Sequence, residues 1–160
     1  DPLPPEFAAI CASFVTIEAG GRLRGCIGSL EAHRPLLQDV ASNAWRSAFR
    51  DPRFKPVTQP EVRGLALKLS VLSTPEEMQF ESQAHVLEQL RPGLDGLILA
   101  DGGRRGTFLP QVWDQLPTPS EFLTRLKAKA GLPLDHWSPS VRIWSYTTET
   151  FGETAPPVAQ

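Results

Sequence analysis

The chain has 160 residues, 41% of them hydrophobic and 21% charged, with a formal net charge of -2 at pH 7. That is length enough for one sizeable core and an ordinary globular composition, which excludes a disordered chain. The charge gives no global attraction for nucleic acid or an acidic membrane, and no apolar run approaches the ~20 residues of a membrane span.

The 16 prolines divide the chain into short elements. Asp1 to Pro5 do not read as a natural initiation region, which suggests that the chain begins partway through a longer protein. Phe14 to Ile17 is β-prone, Gly20-Gly21 supplies a tight turn, and Leu23 to Leu30 returns, so residues 13–30 form a hairpin. A helix follows from Pro35, with Leu36, Leu37, Val40, Ala41, Ala44, Trp45, Ala48 and Phe49 at helical spacing, and Asp51-Pro52 stops it. Residues 51–63 hold three prolines and read as an irregular, ordered loop.

Leu65, Leu67, Leu69 and Val71 then alternate along a strand from Gly64 to Ser73. A helix over Ser82–Leu90 turns Ala84, Leu87 and Leu90 inward. A second hairpin runs from Leu94 to Leu109 around Asp101-Gly102-Gly103. Thr118-Pro119-Ser120-Glu121 is a capping box for a helix carrying Phe122, Leu123, Leu126 and Ala130, and Gly131 ends it behind Lys127 and Lys129. Val141 to Thr150 alternates as a single closing strand, and the Pro- and Ala-rich residues 152–160 read as a frayed tail. Hairpins mixed with helices, without regular strand–helix alternation, predict an α+β domain with a mainly antiparallel sheet and flanking helices.

Two cysteines, Cys11 and Cys26, make no disulfide framework in a chain of this size and suit reduced thiols in the cytoplasm. Three scattered histidines, His33, His85 and His136, lack paired-ligand spacing, so no metal site is expected. The chemistry concentrates in Leu23-Arg24-Gly25-Cys26-Ile27-Gly28. Strand alternation puts Arg24, Cys26 and Gly28 on one face, where a guanidinium favours the thiolate and the glycines admit a ligand or another backbone. Gly28 is also a candidate bulge. The competing reading is a small buried cysteine packed under the helix that follows.

His33, seven residues on, is a candidate base for that thiol, or a solvated residue beside Arg34 and Pro35. Arg50-Asp51-Pro52-Arg53-Phe54-Lys55 offers bidentate arginines and a stacking ring, or else a turn with local ion pairs and a core plug. Asp101 to Gly106 lacks the strand-to-helix context of a phosphate loop and carries no nucleotide fingerprint. Trp113, Trp137 and Trp144 read as core or interface residues.

The Leu-Arg-Gly-Cys-Ile-Gly stretch resembles the hallmark of the AMMECR domain family, known in bacteria and archaea as protein A of the AmmeMemoRadiSam system. The similarity continues through Ala48–Phe54, Val71–Ser73, Gly93–Leu97, Thr107–Trp113 and Lys129–Gly131, in order and over nearly the whole chain. It implies a single domain over residues 1–151, in two unequal lobes with the hallmark near a groove between them, and a helical segment missing ahead of the first strand. It implies association with Memo-like and radical-SAM proteins, no known activity and no known cofactor. The resulting expectation is a substrate- or ligand-handling component with Cys26 and Arg24 as its reactive pair. Gly25, Gly28, Arg50, Asp51 and Arg53 would line the ligand site. The alternatives are a non-catalytic binding or scaffolding module for a protein or RNA, and a fold nucleus with no site at all.

Overall fold

The computed structural model describes residues 4–153. These form two compact units, one built from the chain up to Ser73 together with the chain from Glu149 onward, the other from Thr74–Thr148. Each unit is a four-stranded sheet with helices, and the strand pairings are antiparallel, so the predicted mixed α+β class holds.

In the first unit, strands β1 (Ala12–Ala19) and β2 (Arg22–Gly28) form the expected hairpin. Its turn uses Gly20 and Gly21 at φ 58° and 77°, a left-handed backbone that glycine adopts without a Cβ penalty. Helix α1 (Leu36–Phe49) packs on this hairpin. Strand β3 (Leu65–Leu72) pairs with β1, and β8 (Thr148–Gly152) completes the order β2-β1-β3-β8. The loop before β3 contains a 3-10 turn at Gln59–Gly64 with a capping box, in which Glu61 accepts from the Thr58 amide at 2.6 Å.

The buried stripe of α1 is polar. Asp39, Asn43 and Ser47, one turn apart, are each at most 1% exposed, while Leu37, Trp45 and Phe49 are 41–52% exposed. Asp39 accepts from the Ser13 amide (2.9 Å) and hydroxyl (2.6 Å), the Ser29 hydroxyl (2.8 Å), the Asn43 amide (3.0 Å) and Arg34 Nε (3.0 Å). The Ser47 hydroxyl donates to the Val15 carbonyl at 2.8 Å and accepts from the Ile27 amide at 2.9 Å, joining helix to both strands. The helical spacing is therefore as expected, but the face that meets the sheet is the one carrying hydrogen-bonding groups. Strand β3 behaves likewise: Ala66 and Leu72 are buried, whereas Leu67 is 40% exposed.

The second unit holds an apolar core. The sheet order is β4-β7-β5-β6, from β4 (Glu76–Glu77), β7 (Arg142–Tyr146), β5 (Gly96–Asp101) and β6 (Arg104–Phe108). Helix α3 (Pro119–Lys129) starts at the predicted Thr118 cap and ends before Gly131 at φ 81°. Its Phe122 stacks on Trp113 at 3.8 Å, and Leu97, Leu99, Leu123, Leu126 and Ile143 close around them. Trp113 donates its indole N–H to the Asp95 carbonyl at 2.8 Å. Helix α2 (Gln83–Gln89) buries Val86 and Leu90, while Ala84 is exposed rather than inward. Lys127 is buried, donating to Gln83 Oε1 at 2.6 Å and lying 5.6 Å from the Trp137 centroid; burial lowers its pKa.

The expected single strand from Val141 to Thr150 is two. Residues up to Tyr146 pair with β5 and residues from Thr148 lie beside β3, so the alternating pattern runs through a change of sheet that composition does not mark. The expected frayed tail begins at residue 152, where β8 is still ordered; its remainder, from residue 154, lies outside the described residues.

A contrast tests the polar packing of α1. Asp39→Ala should cost about 3–5 kcal/mol by removing the acceptor of Arg34 and of four buried donors. Trp45→Ala removes a far larger side chain and should cost less than about 1 kcal/mol. Urea unfolding of both variants measures the difference, and equal costs would refute the arrangement.

Candidate functional site

Cys26 lies on β2, the outer strand of the first sheet, directly opposite Thr16. Its half-buried sulfur is 3.2 Å from Thr16 Oγ1. Its backbone is gripped on the side away from β1. Asp51 Oδ2 accepts the Cys26 amide at 2.9 Å, and Arg53 Nη2 donates to the Cys26 carbonyl at 3.3 Å. Arg53 and Asp51 are themselves joined by a fork, Nη2 to Oδ2 at 2.7 Å and Nε to Oδ1 at 3.0 Å. One ion pair thus fixes both backbone groups of the thiol-bearing residue.

The electrostatics follow from that fork. Arg53, with the amides of Cys26 and of Arg53 itself, holds the Asp51 carboxyl well below the usual carboxylate range, although burial opposes this. Asp51 in turn raises the Arg53 pKa, and the negative charge of a Cys26 thiolate acts in the same direction.

Arg24 is engaged elsewhere. Opposite β1, Ile17 faces Gly25 and Glu18 faces Leu23, so Arg24 is an extra residue in β2. The irregularity predicted at Gly28 lies here, and it interrupts the alternation that would set Arg24 beside the thiol. Arg24 donates Nε (3.1 Å) and Nη2 (3.4 Å) to Glu61, whose carboxyl it holds at about 2 with help from Thr58. Its guanidinium lies 5.9 Å from the Phe54 centroid.

Both glycines of the hallmark are packed against. A Cβ on Gly25 would stand 2.1 Å from the Ser47 carbonyl oxygen, and one on Gly28 would stand 2.2 Å from the Phe14 ring. They let a helix backbone and an aromatic ring approach the strand. Arg50 directs its guanidinium over Trp45 at 5.4 Å, on the outward side of α1. His33 is exposed, with Nδ1 3.0 Å from the Glu31 carbonyl oxygen, and His85 Nδ1 accepts the Glu81 amide.

Sequence reasoning did not single out Thr16 or Glu61. It also missed a polar cluster in the second unit, where Asp101 accepts from Ser140, Ser138 (2.7 Å) and His136 (2.6 Å). These bonds, Ser140 first, hold the Asp101 carboxyl at about 2. No serine of this cluster donates to the histidine, because both hydroxyls bond to the carboxylate, so the cluster ties the 136–140 loop to the β5–β6 turn. That differs from a nucleophile–base relay.

Two measurements test this geometry. Gly25→Ala should destabilise by about 1–3 kcal/mol, more than Gly28→Ala, because backbone cannot yield as a phenylalanine ring can. Asp51→Asn should destabilise at neutral pH. The stabilisation from an Asp with a lowered folded pKa is complete above about pH 4 and lost as pH falls through the folded value. The gap between wild type and Asp51→Asn in urea midpoint should therefore narrow below pH 4; a constant gap would contradict the fork.

Residues 1–151 match the family model AMMECR1. A protein of Methanothermobacter thermautotrophicus is 40% identical over 159 residues, covering 96% of this chain and 81% of that one. A protein of Methanococcus aeolicus is 37% identical, covering 98% and 80%. Among solved structures, the uncharacterized protein PH0010 from Pyrococcus horikoshii superposes with a TM-score of 0.82 at 35% identity, covering 96% of this chain and 78% of that one. A shared architecture at this identity, together with the family match across residues 1–151, gives the assignment: the chain belongs to the AMMECR1 family.

Proposed function

We propose that this protein is a substrate- or ligand-handling component of an enzyme pathway, with its site centred on Cys26. The observation that carries the reading is the Asp51–Arg53 fork on the Cys26 backbone. A cysteine that only fills space does not require its amide and carbonyl to be held by a buried carboxylate and a charged arginine. Thr16 supplies a hydroxyl to the sulfur, Gly25 and Gly28 set the strand tight against its neighbours, and Arg24 and Arg53 surround Phe54. Asp51 serves here as a positioning residue. The pathway is one that also contains Memo-like and radical-SAM proteins, a proposal that rests on the family resemblance.

A second reading is a non-catalytic binding or scaffolding module, favoured by the outward apolar stripe Leu37, Trp45 and Phe49 on α1. Two variants in a strain lacking the gene separate them. On the site reading, Cys26→Ala retains the fold and fails to restore the pathway, whereas Trp45→Glu restores it. Full rescue by Cys26→Ala together with loss in Trp45→Glu would refute the site and favour the scaffold.

A further inference from the structure

Between Trp45 and Arg63 the chain carries five basic residues and two acidic ones, in a protein whose net charge is -2. Both acids are neutralised on the spot. Asp51 holds Arg53, and Glu61 holds Arg24, a cation from outside the stretch. Arg46, Arg50, Lys55 and Arg63 are exposed and, among the described residues, join no ion pair. The end of α1 and the loop behind it stay together, since the Val57 amide donates to the Ala48 carbonyl at 2.9 Å.

The same surface presents two large rings to water. Trp45 is 52% and Phe49 41% exposed, on successive turns of α1 with ring centroids 5.7 Å apart. The Arg50 guanidinium lies over the Trp45 ring at 5.4 Å. Unpaired cations beside exposed flat faces meet both needs of a single-stranded nucleic acid: the charges follow its phosphates and the rings accept its unstacked bases. We infer that this face of the first unit binds single-stranded RNA, through phosphates and stacked bases and without choice of sequence. Loops and ends are where RNA offers its bases to side chains. An acidic peptide would answer the cations but leave the rings without a flat partner. A lipid surface would bury Trp45 only by desolvating the guanidinium that lies on it.

The inference goes beyond the Cys26-centred reading and does not depend on it. Cys26 takes its contacts from Thr16, Asp51 and Arg53, none of which belongs to this set.

The test measures fluorescence anisotropy of a labelled oligouridylate of about 12 nucleotides with the full chain. It should bind at about 50 mM salt, and four phosphate contacts set the slope of log affinity against log salt at about -3. Trp45→Ala should weaken binding on the order of tenfold. The double variant Arg46→Glu/Arg50→Glu should abolish it, and Arg22→Glu, an exposed charge at the β1–β2 turn, should leave it unchanged. Duplex RNA should bind more weakly, because its bases are already stacked on one another.

No binding at that salt overturns the inference. So does binding that survives in Trp45→Ala or in the double variant, that falls as far in Arg22→Glu, or that duplex RNA equals. Retention by polyglutamate or by phosphatidylglycerol vesicles without oligouridylate binding reassigns the face to an acidic protein or a membrane and overturns it equally. Should a variant unfold, a salt slope near zero in the unsubstituted protein refutes the contact. Each of these outcomes leaves the Cys26 reading where it stands.

Discussion

Everything in the first unit is arranged around one buried carboxylate. Asp39 gathers hydrogen bonds from a strand amide, two serine hydroxyls, an asparagine amide and an arginine, and thereby fastens α1 to the β1–β2 hairpin. A buried carboxylate without such partners would be strongly destabilising, so the five partners are a condition of the fold rather than an embellishment. The arrangement also fixes position more tightly than apolar packing does, because hydrogen bonds have direction and grease does not. Ser47, two turns further along the same stripe, bridges β1 and β2 and brings the helix backbone onto Gly25. The register of the hairpin and the location of Cys26 are consequences of that seam.

The two units solve the same problem by different means. The second closes around Trp113 and Phe122 with leucines and an isoleucine, in which volume and shape are the governing quantities. The first places hydroxyls and amides where those leucines would be. A unit built on directional contacts has few alternative packings, and this suits a strand whose backbone must be presented in one place. The Asp51–Arg53 fork extends the same principle beyond the helix, since it acts on the amide and carbonyl of Cys26 and not on its side chain.

Much of this was legible in the residues. Gly20-Gly21, the spacing after Pro35, the Thr118 cap and Gly131 each state a local conformation that the fold adopts. The inward face of α1 was not legible, because two stripes at the same spacing compete: Leu37, Trp45 and Phe49, and Asp39, Asn43 and Ser47. Periodicity identifies the helix, but the polar groups of β1 and of Ser29 select the face. Thr16 was hidden for a related reason. A regular hairpin about Gly20-Gly21 would oppose Thr16 to Gly25, and the one extra residue at Arg24 moves it to Cys26. The division at Thr147 was invisible because β7 and β8 have the same alternation and differ only in the sheet they join.

The fork at Cys26 has a bearing on self-association. Strand β2 lies at the margin of its sheet, where open amides and carbonyls are a template for another chain to add a strand. At Cys26 both groups are already taken, by a carboxylate and a guanidinium of the same molecule. An incoming strand would have to displace a charged pair to continue the ladder, so pairing in register is interrupted midway along the edge. The residues that hold the thiol in place therefore also occupy the two backbone groups that an added strand would need at that point of the edge.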